Sequence, residues 1–507
     1  MYTPSLAQAR SLVGSARFVP IYREILADLE TPVSAYLRLG AGPSSFLLES
    51  VEGGEHVGRY SFIGVAPRAV LEIREDGAVL EGPDGARRLD YRDPLALVDE
   101  LVGRDSLAQL PGLPRFVGGA VGFLSYELAR CFERLPAPDS DPLGLPLARL
   151  LFVDTLLVFD HSRRTIKVLT RLPLDGDLPR DYEAAAERIE SLVDGLERAG
   201  PQPSASLTSL PAHDEGIGLH DRVRSNMTPS EFMAKVRVAK EHIRAGDVIQ
   251  VVPSQRFSLE TAADPFSVYR ALRVLNPSPY MFFLDFGEYQ LVGSSPEMLV
   301  LVEDGVVSTR PIAGTRWRGR TTEEDERLAR ELLASEKERA EHVMLIDLSR
   351  NDVGRVSRPG TVRVTKLMEI ERYSHVMHIV STVTGKLRGD LRAVDALRSC
   401  FPHGTVSGAP KIRAMEIIAE LEPDRRGPYA GAVGFFGWNG GVEMAITIRT
   451  ALMRAGTVHV QAGGGIVADS DPAFEYEETL NKAAGMLRGV VAAERAAGEA
   501  AREQVSV

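Results

Sequence analysis

The sequence predicts an α+β protein whose strands pair antiparallel, and three observations carry that expectation. Tyr429 to Ile466 reads as a meander: Val442, Met444, Ile446 and Ile448 alternate with Glu443, Ala445, Thr447 and Arg449, the period of a strand with one apolar face. Asn439-Gly440 and Ala455-Gly456 are hairpin turn signals on either side of it. Helical periodicity marks other segments. Asp181 to Arg198 is amphipathic, and Glu323 to Asp347 is a long charged helix with Leu328, Leu332, Leu333, Val343, Met344 and Ile346 on its buried side.

Composition sets the class. The chain has 507 residues, 44% hydrophobic and 25% charged, ordinary for a soluble globular protein and about three domains' worth of mass. A net charge of −11 disfavours a nucleic-acid partner. Two cysteines, Cys131 and Cys400, build neither a disulfide framework nor a Cys-rich metal site. The first residues, MYTPSLAQARSLVGSARFVP, lack the apolar core of a signal peptide, and no run of about 18 apolar residues exists to span a membrane. A cytoplasmic enzyme or binding protein is expected.

Residues 1–198 mix strands and helices. Tyr22 to Leu29 is predicted as a helix before the turn at Thr31-Pro32. Ser45 to Ser50 and Arg59 to Ile63 are short strands, Arg115 to Phe123 a glycine-notched strand, Ser125 to Arg130 the start of a helix, and Arg149 to Asp160 one strand. Residues 199–226 are rich in Pro, Ser and Gly without periodicity and are predicted as a linker. Beyond it lies a region 227–495 and a tail 496–507. Thr228 or Ser230 caps a helix that ends at Ala245-Gly246, and a strand Val248 to Val252 follows. Asn276 to Pro279 turns into a strand Tyr280 to Asp285. Gly293 to Glu297 and Thr309 to Thr315 are predicted as loops flanking the strand Met298 to Val302. Lys366 to Thr382 carries His375 and His378 at helical spacing. In an extended segment the two rings would point to opposite faces.

The stretch AGGGIVADSDPAFEYEETLNK, Ala462 to Lys482, is the most suggestive of chemistry. Gly463, Gly464 and Gly465 would let a small anion lie against backbone N–H groups. The helix after them carries Glu475, Glu478 and Lys482 on one face, where a carboxylate suits a hard cation such as Mg²⁺. A tight turn followed by a capped helix with a surface ion pair explains the same residues. Two-residue turns would pair residues summing to 879 in the first hairpin of the meander and to 911 in the second. That register brings Tyr429, Arg449 and the glycine run together.

Arg449, mid-strand on the polar face, offers a rigid fork for a carboxylate, or a cross-strand ion pair. Tyr429 beside it is a second donor, or an aromatic at a strand edge. Glu341, just before the apolar run Val343 to Ile346, is a second metal carboxylate for Glu478, or a solvated one. His378 is a general acid or base, or simply buried. Gly404 to Lys411 is glycine-rich but lacks a P-loop ending, and no dinucleotide fingerprint follows a strand.

Taken together, NPSPYMFF, SSPEM, TRPIAGT, ERAEHVMLIDLSRND, HGTVSGAPKIRAMEII, GPYAGAVGF, ITIRT, AGGGIV and EETLNKA resemble the chorismate-utilising enzymes, and among them component I of anthranilate synthase. The resemblance spans nearly the whole chain and is densest from Thr228 to Arg488. It implies two interlocked subdomains with large, mostly antiparallel sheets and outer helices. It also implies roles. Glu341 and Glu478 hold Mg²⁺, which binds the ring carboxylate of chorismate. Gly463, Gly464 and Gly465 cradle that carboxylate. Tyr429 and Arg449 hold the enolpyruvyl carboxylate, and Gly314 and Thr315 line the ring. His378 assists departure of the ring hydroxyl and the later elimination, and Lys482 supports the carboxylate–metal cluster. The implied reaction adds ammonia at C2 as the C4 hydroxyl leaves, then eliminates pyruvate to give anthranilate.

Relatives that make aminodeoxychorismate typically carry a nucleophilic Lys where Ala313 stands. Isochorismate and salicylate synthases typically carry Lys where Gln250 stands, so Ala313 with Gln250 favours anthranilate. The resemblance further implies inhibition by L-tryptophan through Ser50, Pro279, Tyr280 and Met281. It implies ammonia from a separate glutamine amidotransferase subunit, since neither cysteine sits in a Gly-flanked nucleophile turn, and a heterotetramer of two of each. Aminodeoxychorismate synthase component I and a non-catalytic chorismate- or tryptophan-binding regulator are the rival readings.

Overall fold

The computed structural model describes residues 1–40, 42–50, 58–103, 107–108, 110–198, 222–373 and 376–505, with side chains as far as residue 498. Most of the predicted linker, and His375, lie outside these residues. Two antiparallel sheets dominate, one of eleven strands and one of twelve among the described residues. Their inner faces meet in one apolar layer, to which Phe46, Phe62 and Leu452 come from the first sheet and Leu151, Phe435 and Ala445 from the second. Helices Leu178–Glu197, Pro265–Leu275 and Pro472–Val505 cover the outer face of the eleven-stranded sheet. Pro94–Val102, Glu336–Val356 and Ala393–Cys400 cover the other. Strands from before residue 199 make up about half of each sheet. They join the later strands where Ser45–Glu49 pairs with Tyr280–Asp285 and where Gly119–Leu124 pairs with Ala432–Gly437. Among the described residues no helix is long and apolar enough to cross a membrane.

The chain repeatedly steps from one sheet to the other, and this corrects several sequence expectations. Arg149 to Asp160 is two strands, Ala148–Val153 in the twelve-stranded sheet and Thr155–Asp160 in the eleven-stranded sheet. Both are buried on both faces: Leu151, Val153, Leu156 and Val158 face the inner layer, while Leu150, Phe152, Leu157 and Phe159 face the helices. With both faces apolar no alternation exposes the break at Asp154. The middle strand of the meander is likewise split into Val442–Ile446 and Thr450–Arg454, one in each sheet. Arg449 occupies the turn between them at φ +50°. The expected loop Gly293 to Glu297 belongs mostly to the strand Tyr289–Ser295, which crosses at Pro296-Glu297 into Met298–Glu303.

The second hairpin keeps its expected register, with Ala451 opposite Val460 and Arg454 opposite Thr457; its two turn residues, Ala455 and Gly456, both have positive φ. The first is displaced by one, Ala432 lying opposite Ile446, because the connection is longer than two residues. The Gly437 N–H donates to Gly441 O across it at 2.8 Å.

Tyr22 to Leu29 is not helical. Phe18–Leu26 is a strand paired over its whole length with Thr165–Pro173, and its β-branched and aromatic residues fit that pleated surface. Thr309 to Thr315 is mostly strand, Ile312–Trp317. Lys366 to Thr382 is two paired strands rather than a helix. The charged helix breaks at Ser335 into Thr322–Ala334 and Glu336–Val356, and Val343 is exposed. The helix Pro229–Ala245 begins at Thr228 with a full capping box closed by Glu231 and ends at Gly246 with φ +83°.

Candidate active site

The two crossings at Glu297 and Arg449 are adjacent and zipped together. The Ile446 N–H donates to Glu297 O at 3.0 Å and the Ser294 N–H to Arg449 O at 3.0 Å; Ser295 Oγ donates to Ile446 O at 2.6 Å. Turning there takes two side chains out of either sheet's ladder and sets them within electrostatic range of each other. Arg449 is half-buried and, among the described residues, makes no ion pair or side-chain hydrogen bond. Burial lowers its pKa, against the attraction of Tyr429, Glu478 and Glu297. The expected alternative, a cross-strand ion pair, is absent.

A series of contacts links the other predicted residues, among which Tyr429 and Glu478 act electrostatically on Arg449. The hydroxyl of Tyr429 stands 2.8 Å from where a Cβ on Gly463 would lie, and burial pushes that phenol up to about 12. Lys482 Nζ donates to Gly463 O at 2.9 Å and pairs with Glu478 at 2.5 Å. A Cβ on Gly464 would sit 2.9 Å from Glu475 Oε2, and one on Gly465 would sit 2.6 Å from Gln250 Nε2. The three glycines thus make room for three polar side chains as well as a ligand. Their amides are not all free, since the Gly464 N–H donates to Pro253 O at 3.2 Å. Gln250 Nε2 donates to Glu341 Oε1 at 3.4 Å.

On the other side Gly314, at φ +64° in a bulged register, needs to be glycine: a Cβ there would come within 3.0 Å of Glu338 Oε2. Its carbonyl lies 3.0 Å from His378 Nδ1, and Thr315 Oγ1 is 3.2 Å from the same nitrogen. A carbonyl only accepts, so Nδ1 carries the proton and Nε2 the lone pair. Burial pulls the His378 pKa down, with the Gly314 carbonyl opposing, so the ring is neutral near pH 7.

Sequence reasoning left two participants unassigned. Glu475 is buried with Oε2 lacking any hydrogen bond. Burial, then Glu478, outweighs Ser470 and raises its pKa, while burial with Glu338 and Glu478 raises that of Glu341. Glu297 is buried with Oε1 unpartnered. Burial pushes it up to about 8 against Thr405, the Ile312 amide and Arg449, so at neutral pH it is a carboxylic acid. The only hint of it was its place after Pro296, where a sheet strand would be interrupted.

The residues gathered here are therefore a cation, several carboxylates, a neutral imidazole and a neutral acid, with Arg449 acting electrostatically on Glu297, His378 and Glu478. That suits a small dianion. A model of the chorismate binding enzymes matches residues 44–488. The chain belongs to this family. It is 51% identical over 481 residues to anthranilate synthase component 1 of Pseudomonas aeruginosa, covering 94% of this chain and 96% of that one. It is 48% identical over 491 residues to that of Acetivibrio thermocellus, covering 97% and 99%. The crystal structure of anthranilate synthase component I from Streptococcus pneumoniae superposes with a TM-score of 0.75 at 38% identity, covering 91% of this chain and 98% of that one. The isochorismate synthase MenF of Escherichia coli shares the fold, with a TM-score of 0.67 at 21% identity.

In this chorismate binding enzyme the remaining predicted residues lie together, away from those above. Ser50, Pro279, Tyr280 and Met281 all line one cavity of about 240 Å³ between the sheets. Ser50 Oγ and the Tyr280 hydroxyl are buried there without hydrogen-bond partners among the described residues. Arg115 and Glu443, 3.4 Å apart, line it as well.

Proposed function

We propose that the chain forms anthranilate and pyruvate from chorismate and ammonia, as component I of an anthranilate synthase. The observation that carries this is Arg449, a half-buried guanidinium that makes no ion pair or side-chain hydrogen bond among the described residues, near carboxylates that repel one another. The first fits the enolpyruvyl carboxylate of chorismate. The second fits Mg²⁺, because Glu475 Oε2 is an orphaned buried acceptor and the pKa values of Glu341 and Glu475 are raised, as expected of donors that lack their cation. Glu341 and Glu478 would hold the ion, with Glu475 behind them. When bound, Mg²⁺ neutralises the ring carboxylate and draws developing charge from the ring.

The chain's own residues divide the proton work. Tyr429 and Arg449 take the enolpyruvyl carboxylate, and Gly314 and Thr315 line the ring. Glu297, beside Arg449 and so beside C4 of a substrate whose ether oxygen is on C3, gives its proton to the C4 hydroxyl as ammonia adds at C2. This amends the role that resemblance gave His378, whose neutral ring is a poor acid. With Nδ1 committed to Gly314, His378 Nε2 accepts the C2 proton in the elimination of pyruvate. Lys482 steadies Glu478 against the glycine run. Neither Gln250 nor Ala313 offers a competing nucleophile or a base for water.

Ammonia would come from a glutamine amidotransferase subunit in a heterotetramer. The second cavity fits L-tryptophan as inhibitor: apolar walls suit an indole, and Arg115 and Glu443 suit an α-carboxylate and an α-ammonium. The purified chain, given chorismate, Mg²⁺ and an ammonium salt without glutamine, should produce fluorescent anthranilate only when both Mg²⁺ and ammonium are present. A non-aromatic aminated product would replace this reading with aminodeoxychorismate synthesis, and no consumption of chorismate would overturn it.

A further inference from the structure

The Glu297 carboxyl ends a chain of three polar groups, of which Glu297 and His403 are buried and Thr405 is half-buried. Thr405 Oγ1 lies 3.1 Å from Glu297 Oε2 and 2.9 Å from His403 Nδ1. The backbone N–H of Thr405 donates to the same Nδ1 at 3.4 Å. That nitrogen is therefore an acceptor, and the His403 proton is on Nε2. His403 is 3% exposed, and burial, aided by Lys411, pulls it down to about 3, so it stays neutral. The charged group facing Glu297 is Arg449; His403 Nδ1, 3.6 Å from Oε1, adds only a lone pair.

A threonine hydroxyl has one proton and two lone pairs. With Glu297 protonated, its Oε2–H donates to Thr405 Oγ1, which donates to His403 Nδ1, while Glu297 Oε1 stays without a hydrogen bond. Once Glu297 ionises, a rotation about the Cβ–Oγ bond turns the same hydroxyl proton onto the carboxylate. No heavy atom has to move.

We propose that Thr405, backed by His403, is a positioning residue that holds Glu297 as the proton donor and then receives its carboxylate. This rests on the reading of Glu297 as the acid. In that step the Glu297 O–H and the C4–O bonds break, C2–N forms, and water leaves. The adding nitrogen sheds one proton and Glu297 regains one, so protons balance over the turnover.

Thr405→Val removes the rotor at nearly constant volume. It should lower kcat roughly 10- to 100-fold, the worth of a hydrogen bond to a charged group, with KM for chorismate within about twofold. The alkaline limb of the pH–rate profile should move upward, because the lost bond favoured the carboxylate. Thr405→Ser should restore both rate and limb. Thr405→Ala, a smaller excision, stands in if the valine variant misfolds by circular dichroism. An unchanged kcat, or a loss without a moved limb or serine rescue, would overturn the proposal. Glu297→Gln at full rate would overturn the acid reading beneath it and this proposal with it.

Discussion

Two crossings between the same pair of sheets behave oppositely. At Asp154 the chain turns from Ala148–Val153 into Thr155–Asp160, and the carboxylate is ion-paired on both oxygens, with Arg68 at 3.0 Å and Arg171 at 3.1 Å, although Oδ1 is buried without a hydrogen bond. At Arg449 and Glu297 two crossings lie side by side. There the guanidinium has no ion pair among the described residues, and Glu297 Oε1 and Thr447 Oγ1 are buried without hydrogen bonds. The topology is the same and both hold a buried oxygen without a hydrogen bond; what differs is charge, paired at Asp154 and unpaired at Arg449. Unpaired charges taken out of water cost stability, and a chain keeps them where a ligand completes them.

That contrast can be broken from either side. The largest effect is expected from Glu297→Gln, with kcat down about 10³-fold, within the range of general acid catalysis. Its stability should respond oppositely. The folded-state value of about 8 lies above the ordinary 4.5, so the advantage is complete below about pH 4.5 and fades as pH rises through 8. Glu297→Gln, which cannot ionise, should melt higher than the parent at pH 9. Next comes Glu341→Gln, with activity down about 100-fold and Mg²⁺ binding weakened in a calorimetric titration. Ser50→Phe, which overfills the second cavity, should weaken tryptophan inhibition by about tenfold, with kcat unchanged without tryptophan. Asp154→Asn is the control at the ion-paired crossing: kcat/KM unchanged, and stability shifted by no more than about 1 kcal/mol in denaturant unfolding.

The legible parts of the fold were those set by local chemistry. The Thr228 capping box, the Ala455-Gly456 turn and its register, and the strand Tyr280–Asp285 all follow from a few neighbouring residues. The crossings did not, because strands buried on both faces show no alternation, and breaks of one to three residues with one charged side chain each, Asp154, Glu297 or Arg449, look like single polar positions within a strand. Tyr22 to Leu29 was misread because its pairing partner lies some 140 residues on, at Thr165–Pro173. In the site, Arg449, Tyr429 and the glycine run stood out as unusual residues in regular surroundings. Glu297 and Glu475 did not, since a glutamate after a proline or on a helix is commonplace until its burial is known. Their protonation and their missing partners are properties of packing alone.

Titrating chorismate into the parent and into Arg449→Met, both with Mg²⁺ and without ammonia, tests the contrast most directly. Loss of a charge-assisted, bidentate carboxylate grip should raise Kd about 100-fold, roughly 2.7 kcal/mol, while the melting temperature holds or rises because no protein partner is orphaned. Equal affinity in the two proteins, or a variant that binds normally but unfolds early, would mean that Arg449 is structural and that the unpaired crossing is not the substrate's anchor.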